Sequence, residues 1–415
     1  MTVTTTSLQY ALKTLWPQSR VQNEVYPDHP FFAMIKKKED FYGDSLYIAV
    51  RTGDPQGRSA SFSTAQTISQ VSGGAGSQRG VRFNVTRATD YQLVNLGTEV
   101  MLASEKDEGS LLRALDTEMK SGINNIGKSA ATALFRGQSG TLAQVGSRAD
   151  VGTASTVITL ANTNDITSFE VGMLIVASAT TTGANLAGPA SAYVTAVDRD
   201  LGKISLTGDF SGNTWVANSY LFASGDNANG SGNGNKMLGL ADWLPSSAPS
   251  ATTFLGVDRS VDPTRLAGLR IDVSALAPEE GWMTVLSKQA REGAKPDYAF
   301  VNHLDYRNIA ISLGSKVEND YVQVGEFGFE TLKVRGPKGI VAIIADQDCP
   351  SGRGYSLDFR TWTLHSLKGM PMILSQDGSQ MSRVATADQF EARVVYYANM
   401  YTDAPGFNAT VTLPS

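Results

Sequence analysis

Cysteine, histidine and charge are all scarce in this chain, and each shortage removes a class of function. The 415 residues hold a single cysteine, Cys349, so no internal disulfide and no thiolate metal site can form, and the sequence reads as one made in a reducing cytoplasm. The three histidines, His29, His303 and His365, lie far apart in unlike contexts and read as structural residues. Charged residues make up 18% and the formal net charge is −5, so no broad positive field exists to draw the molecule onto nucleic acid. No run approaches the roughly 20 apolar residues of a membrane helix, and the start lacks the basic and apolar regions of a secretory signal. These features predict a soluble, unexported chain.

Apolar residues are 41% of the chain, enough for two or three domains with real cores, and its 40 glycines concentrate in loops, which suggests a loop-rich, β-rich architecture. Pro17, Pro27 and Pro30 follow a Thr-rich start and predict an extended arm over 1–43 that lies on something other than itself. Lys36, Lys37 and Lys38 within it read as a solvated or partner-facing patch. Segments 44–52 and 80–90 alternate apolar and polar residues and read as the two legs of a hairpin. The polar stretch between them, with GGAGSQRG near its end, is too long for an ordinary turn. It is either an exposed loop or an arm ordered by a neighbour.

The clearest helix runs over 104–136, where Leu112, Leu115, Met119, Ile123, Ile126, Ala130 and Ala133 form one apolar stripe. Ser104 with Asp107 forms a capping pair, Glu105 and Glu108 suit the positive end of the helix, and Gly137 marks its stop. Over 151–222 the composition shifts to Thr, Ala, Gly and Val in short β-like pieces, predicting an inserted all-β module followed by a flexible Gly/Asn linker over 224–236. Beyond it, helices are predicted over 278–292 and 303–313, with strands at 297–302, 331–334, 340–345, 355–359, 362–365, 389–401 and 407–413, the last two joined by a turn at Ala404, Pro405 and Gly406. The fold class is mixed α+β.

Three chemical readings are available and each is declined on physical grounds. Gly122, Gly127, Lys128 and Ser129 match the phosphate-loop pattern, and the strand ending at Asp346 could supply a magnesium carboxylate. The match falls inside the long helix, where backbone amides are already bonded and cannot cradle phosphate. No G-x-S-x-G elbow exists. Asp346, Asp348 and Cys349 read as a solvated acidic turn rather than a cation site, with Cys349 a partly buried, unactivated thiol. Trp215 and Tyr220 in the inserted module are candidates for a glycan-binding surface, the rival reading of a phage tail or surface adhesin, although both suit a core equally well.

The order of extended arm, Gly/Ser-tipped hairpin, long amphipathic helix, β-rich insert, α+β domain and returning strands resembles the capsid fold of tailed phages, the Hong Kong 97 type. The phrases PFFAMIKKKEDFYGDSLYIAV from Pro30, GLADWLP from Gly239, VDRSVDPTRLAG from Val257 and APGFNATVTL from Ala404 look like that family's as well. The resemblance spans nearly the whole chain. It implies an N-arm over 1–43, an E-loop hairpin over 44–90, a P-domain with its spine helix over 91–150 and 237–294, an insert over 151–236, an A-domain over 295–385, and returning P-domain strands over 386–415.

It further implies a non-enzymatic major capsid protein without cofactor or metal, forming hexamers and pentamers that close into an icosahedral shell around double-stranded DNA. The implied partners are further copies of itself, a portal protein, a possible decoration or cement protein, and packaged DNA through weak non-specific contact. Because the chain begins at the arm, a separate scaffolding protein is expected. The expected location is the virion capsid, after synthesis in the bacterial cytoplasm. No lysine stands between Asp40 and Glu105, so the lysine–asparagine cross-links of some family members are not expected. Within the hairpin arm Arg51, Arg58, Arg79, Arg82 and Arg87 make a basic surface, and Glu105, Asp107 and Glu108 cluster at the helix start; these eight are the candidate subunit-interface residues.

Overall fold

A computed structural model describes residues 25–70, 77–98, 108–150, 155–186, 189–208, 210, 215–230, 234–313, 319–324, 327–375 and 380–414. From Val25 onward the expected extended arm is instead part of the body. Pro30 opens a one-turn helix, α1 (Pro30–Met34), because its fixed φ suits the first helical position. That turn drives Phe31 and Phe32 fully inside, with Phe31 packed 5.1 Å from both Phe135 and Phe300. The following strand, β1 (Lys36–Lys38), carries the lysines expected to be solvated or partner-facing, and Lys36 is exposed. Lys37 turns inward: Nζ donates to the carbonyls of Phe32 (2.6 Å) and Ala33 (3.1 Å) and sits 4.3 Å above the Tyr26 ring. Burial lowers its pKa to about 7.

The two hairpin legs pair as expected. β2 (Ser45–Gly53) runs antiparallel to β3 (Arg79–Thr86) with Ile48 opposite Phe83, so the apolar members share the inward face. The connection contains an element the sequence reading missed, helix α2 (Phe62–Ser69). β4 (Ala88–Gly97) then leads to the long helix α3 (Glu108–Arg136), about 44 Å from its 29 residues. Met119, Ile123, Ile126, Ala130 and Ala133 of the expected stripe are buried, while the side chains of Leu112 and Leu115 and the capping residues Ser104 and Asp107 lie outside the described residues. Gly137 ends the helix at φ +85°, donating its N–H to Ala133 at 2.8 Å.

The β-rich insert is a closed six-stranded barrel: β5 (Thr141–Asp150), β6 (Ser155–Leu160), β7 (Leu174–Ser178), β8 (Ala192–Asp198), β9 (Lys203–Thr207) and β10 (Tyr220–Ala223). It takes its first strand from before the expected boundary at 151. Side chains fill its interior, among them Val145, Ile158, Phe169, Ile204, Leu206 and Leu221. The expected flexible linker is tied down in its described part. Asn235 donates to the carbonyls of Gly225 and Asn227, and Lys236 Nζ meets Asp90 (2.6 Å), Ser129 (2.8 Å) and Asp226 (3.1 Å). This buried network fastens the barrel's exit to β4 and α3.

The remainder contains α4 (Leu240–Trp243), α5 (Pro263–Ala267), β11 (Leu269–Asp272), α6 (Pro278–Arg291), β12 (Tyr298–Val301), α7 (His303–Leu313), β13 (Asn319–Val324), β14 (Phe327–Gly336), β15 (Gly339–Ala345), β16 (Arg353–Leu357), β17 (Trp362–Ser366), β18 (Gln389–Thr402) and β19 (Ala409–Thr412). Seven of the strands form one mixed sheet in the order β11-β19-β16-β12-β15-β14-β13. Trp282, Val285 and Leu286 of α6 and Ile309 of α7 share one core with Val301 and Ile343 of that sheet, while Phe300, Ile344 and Tyr355 join the core around Phe31 and Phe135. A second sheet centres on β18, which pairs with β4 and β17, and β1 runs parallel to β17. The two late strands therefore do not return together. β18 enters the sheet beside the long helix, and after the turn at Pro405 β19 inserts between β11 and β16. The fold is mixed α+β.

Candidate subunit interface

The hairpin is fixed at its base, and among the described residues its tip buries no side chain. Its inward face buries Ile48, Val50, Phe83 and Val85, with Phe83 edge-on to Trp243 at 5.1 Å, and Arg265 of α5 donates to the carbonyl of Thr52. β2 and β3 form a sheet of two strands only. Beyond it, every residue from Asp54 to Gln70 is exposed or half-buried, and Phe62 at the start of α2 is 83% exposed. An apolar ring of that exposure on a tip whose described residues bury no side chain is unusual for a surface that faces only water.

The candidate arginines divide by what they touch. Arg51 pairs with Asp54, both exposed, and Arg58 is exposed on the tip. Arg79 is exposed at the tip end of β3, opposite Gly53. Arg82 faces outward with its guanidinium 4.1 Å over the Tyr47 ring, which pre-orients the charge. Arg87 differs: it is half-buried and donates to its own chain's carbonyls at Phe41 (3.2 Å) and Gly43 (3.1 Å), so it braces the turn before β2 and leaves the outward basic face to the others. Of the acidic group, Glu105 and Asp107 lie outside the described residues; Glu108 opens the described part of α3, but its side chain is not described. The two groups are not brought together within one chain by any described contact.

The declined chemical sites resolve into packing. Gly122 and Gly127 lie within α3, where a Cβ would come 2.5 Å from Val94 and 2.5 Å from Val25 respectively. Glycine is needed there for close approach, and Lys128 and Ser129 bond to Glu170 (3.1 Å) and Asp90 (2.8 Å). Trp215 is fully buried against Phe210 inside the barrel, while Tyr220 is half-buried. The Asp346–Cys349 turn, expected to be solvated, is buried because the 25–34 segment covers it. Cys349, expected to be partly buried, is fully buried, and that burial pushes its thiol well above its ordinary pKa. His29 and His365 are buried with separate partners, Asp348 and Tyr401, and His303 is exposed. Sequence reasoning missed the links from His29 to Asp348 and from Lys236 to Asp90, since both join residues far apart in the chain.

No family model matches the sequence, and no curated protein matches it either. Among solved structures, the capsid asymmetric unit of cyanophage A-1(L) is similar over 97% of this chain and 99% of its own, with 9% identity and a TM-score of 0.49. The capsid of Myoviridae phage XM1 is similar over 93% and 92%, with 10% identity and a TM-score of 0.43. The holo-SrpI encapsulin complex from Synechococcus elongatus PCC 7942 is similar over 97% and 89%, with 9% identity and a TM-score of 0.40.

Proposed function

We propose that the chain is a major capsid protein of the tailed-phage type, whose hexamers and pentamers close into an icosahedral shell around double-stranded DNA. The observation that carries this reading is the hairpin tip: a basic arm with an exposed Phe62, rooted in the core, on which no residue from 54 to 70 is buried among the described residues. A second copy is the natural cover, since a closed shell is built from one heterologous contact repeated around symmetry axes. Exposed ion pairs are individually worth about 0–1 kcal/mol, so repetition around a capsomer, together with burial of Phe62, supplies the bias that a single pair does not. In this reading the arm's arginines meet acidic residues of the adjacent subunit, Glu105, Asp107 and Glu108 being the first candidates. A scaffolding protein, a portal and a decoration protein belong to the same proposal, with the packaged DNA confined by the wall rather than gripped by it.

Electron microscopy and sedimentation of the purified chain test it. Capsomers or closed shells are the expected species. A chain that stays monomeric at every concentration and salt, and that also forms no particles when co-expressed with the remaining head proteins of its phage, would count against the proposal.

A further inference from the structure

The segment that leads into the body is held by a buried set of proton-binding groups that the shell reading does not use. His29 Nδ1 lies 2.5 Å from Asp348 Oδ2, and Thr132 of α3 donates to the other oxygen of that carboxylate at 3.3 Å. Asp346 Oδ2 accepts the backbone N–H of Phe31 at 3.1 Å, and its other oxygen accepts the N–H of Asp348 at 3.0 Å. Both carboxylates and the imidazole are buried. We propose that His29, Asp346 and Asp348 form a proton-dependent latch, which holds segment 25–35 on the body below neutral pH and weakens its hold above it.

Charge balance gives the direction. With His29 protonated and Asp346 neutral, the Asp348 carboxylate faces one positive charge, and no buried charge is left over. Removing the proton from Asp346 places two carboxylates within one turn against a single imidazolium; removing the next leaves them with none. Burial, and then the charge of Asp348, push the Asp346 carboxyl from its ordinary 3.8 to about 7. Burial works to lower the His29 pKa, but the hydrogen bond and charge of Asp348, with Asp346 and Asp28 behind them, outweigh it and raise the pKa above 6.5. Both groups hold protons more tightly folded than unfolded. Their stabilising effect is therefore complete below the unfolded values, 3.8 for Asp346 and 6.5 for His29, and is lost as pH rises through the folded values, about 7 for Asp346 and above 6.5 for His29.

The neighbours from the other elements do not reverse this. The cleft beside His29 and Asp348 is lined by Asp28, Lys128 of α3 and Arg199 of the barrel, but Lys128 and Arg199 are both paired with Glu170. Behind the turn stand Cys349, Asp305, Tyr355 and Arg136, the last paired with Asp165. Lys37, near the end of the segment, works in the opposite sense, because its depressed pKa means that rising pH relieves a buried charge. Any test must hold Lys37 constant.

Hydrogen exchange of the 25–35 peptide in the full-length protein does so when wild type is compared with Asp346→Asn at pH 6 and pH 8.5. Asparagine still accepts from Phe31 through its one oxygen and cannot lose a proton; the bond from the Asp348 N–H is given up at both pH values and so cancels when the two ratios are compared. After correction for the chemical exchange rate, the ratio of segment opening, wild type to variant, is expected to rise on the order of tenfold, about one linked proton over one pH unit. A ratio independent of pH overturns the latch. Should the variant fail to fold, exchange at the C2 position of each histidine, read by mass spectrometry in the wild type, gives the midpoint of His29 directly. A midpoint above 6.5 is expected, and one at or below 6.5 overturns the proposal.

Discussion

At the scale of single residues, the sequence pattern that most resembles a chemical site is explained by close approach. A glycine inside a helix costs about 1 kcal/mol relative to alanine, so Gly127→Ala would stabilise α3 if space allowed. Space does not allow it: the added Cβ would lie 2.5 Å from Val25 Cγ1 and 2.8 Å from Cγ2, and valine has little freedom at χ1 to move aside. Overpacking of this kind costs about 1–3 kcal/mol. Gly127→Ala is expected to lower unfolding stability by about 1 kcal/mol net, read as a lower midpoint in urea. A midpoint that rises would mean Val25 moves freely and the glycine has no packing role. The motif was legible as letters, whereas its meaning depended on Val25, which lies about a hundred residues earlier and which no local pattern could supply.

Among the elements, legibility followed how local the determinants are. Helix α3 was readable because its stripe and its stop at Gly137 lie within a few residues of one another. The hairpin was readable because alternation places Ile48 and Phe83 on one face. Segment 25–38 was misread because its proline spacing looks extended, while its fold depends on distant partners such as Phe300 and Asp346. Helix α2 was missed since only three of its eight positions, Phe62, Ala65 and Ile68, are apolar, which gives a weak stripe, and none of them is buried. That same lack of burial makes the tip expendable for folding. Replacing 54–78 by an Asn-Gly turn between β2 and β3 is expected to leave the melting temperature within a few degrees, because surface changes cost about 0.5 kcal/mol or less. Particle formation should be lost, as seen by sedimentation; assembly of the shortened chain would remove the tip from the interface. Reversing Arg58 and Arg82 to Glu tests the charge alone. It should slow assembly while the monomer keeps its melting curve, and the deficit should shrink in high salt, where exposed charges are screened over about 3 Å at 1 M. Equal assembly rates at low salt would exclude steering by this pair.

For the whole molecule, the barrel shows how an insertion is accommodated. Phe222 of β10 stands opposite Thr141 of β5 in the ladder, so the chain enters and leaves the barrel at neighbouring points about 5 Å apart. Its core residues form a cluster separate from the one that holds α3 and β18. Polar contacts join the barrel to the body, among them Arg136 with Asp165, Lys128 with Glu170, and Asn164 with Ser351. Excising 141–223 and closing the gap with three Gly/Ser residues should leave the body folded. The expected loss is about 1–3 kcal/mol, chiefly from Arg136, which also donates to the Leu142 carbonyl and would be left without either partner. An excision beginning at 151, the boundary the composition suggested, cuts after β5 and strands Leu142, Ala143 and Val145 without the strands that cover them. That variant should aggregate. Circular dichroism melts with light scattering distinguish the two: a cooperative transition for the first excision and early scattering for the second. If both melt alike, β5 belongs energetically to the body rather than to the barrel, and the insertion begins after it.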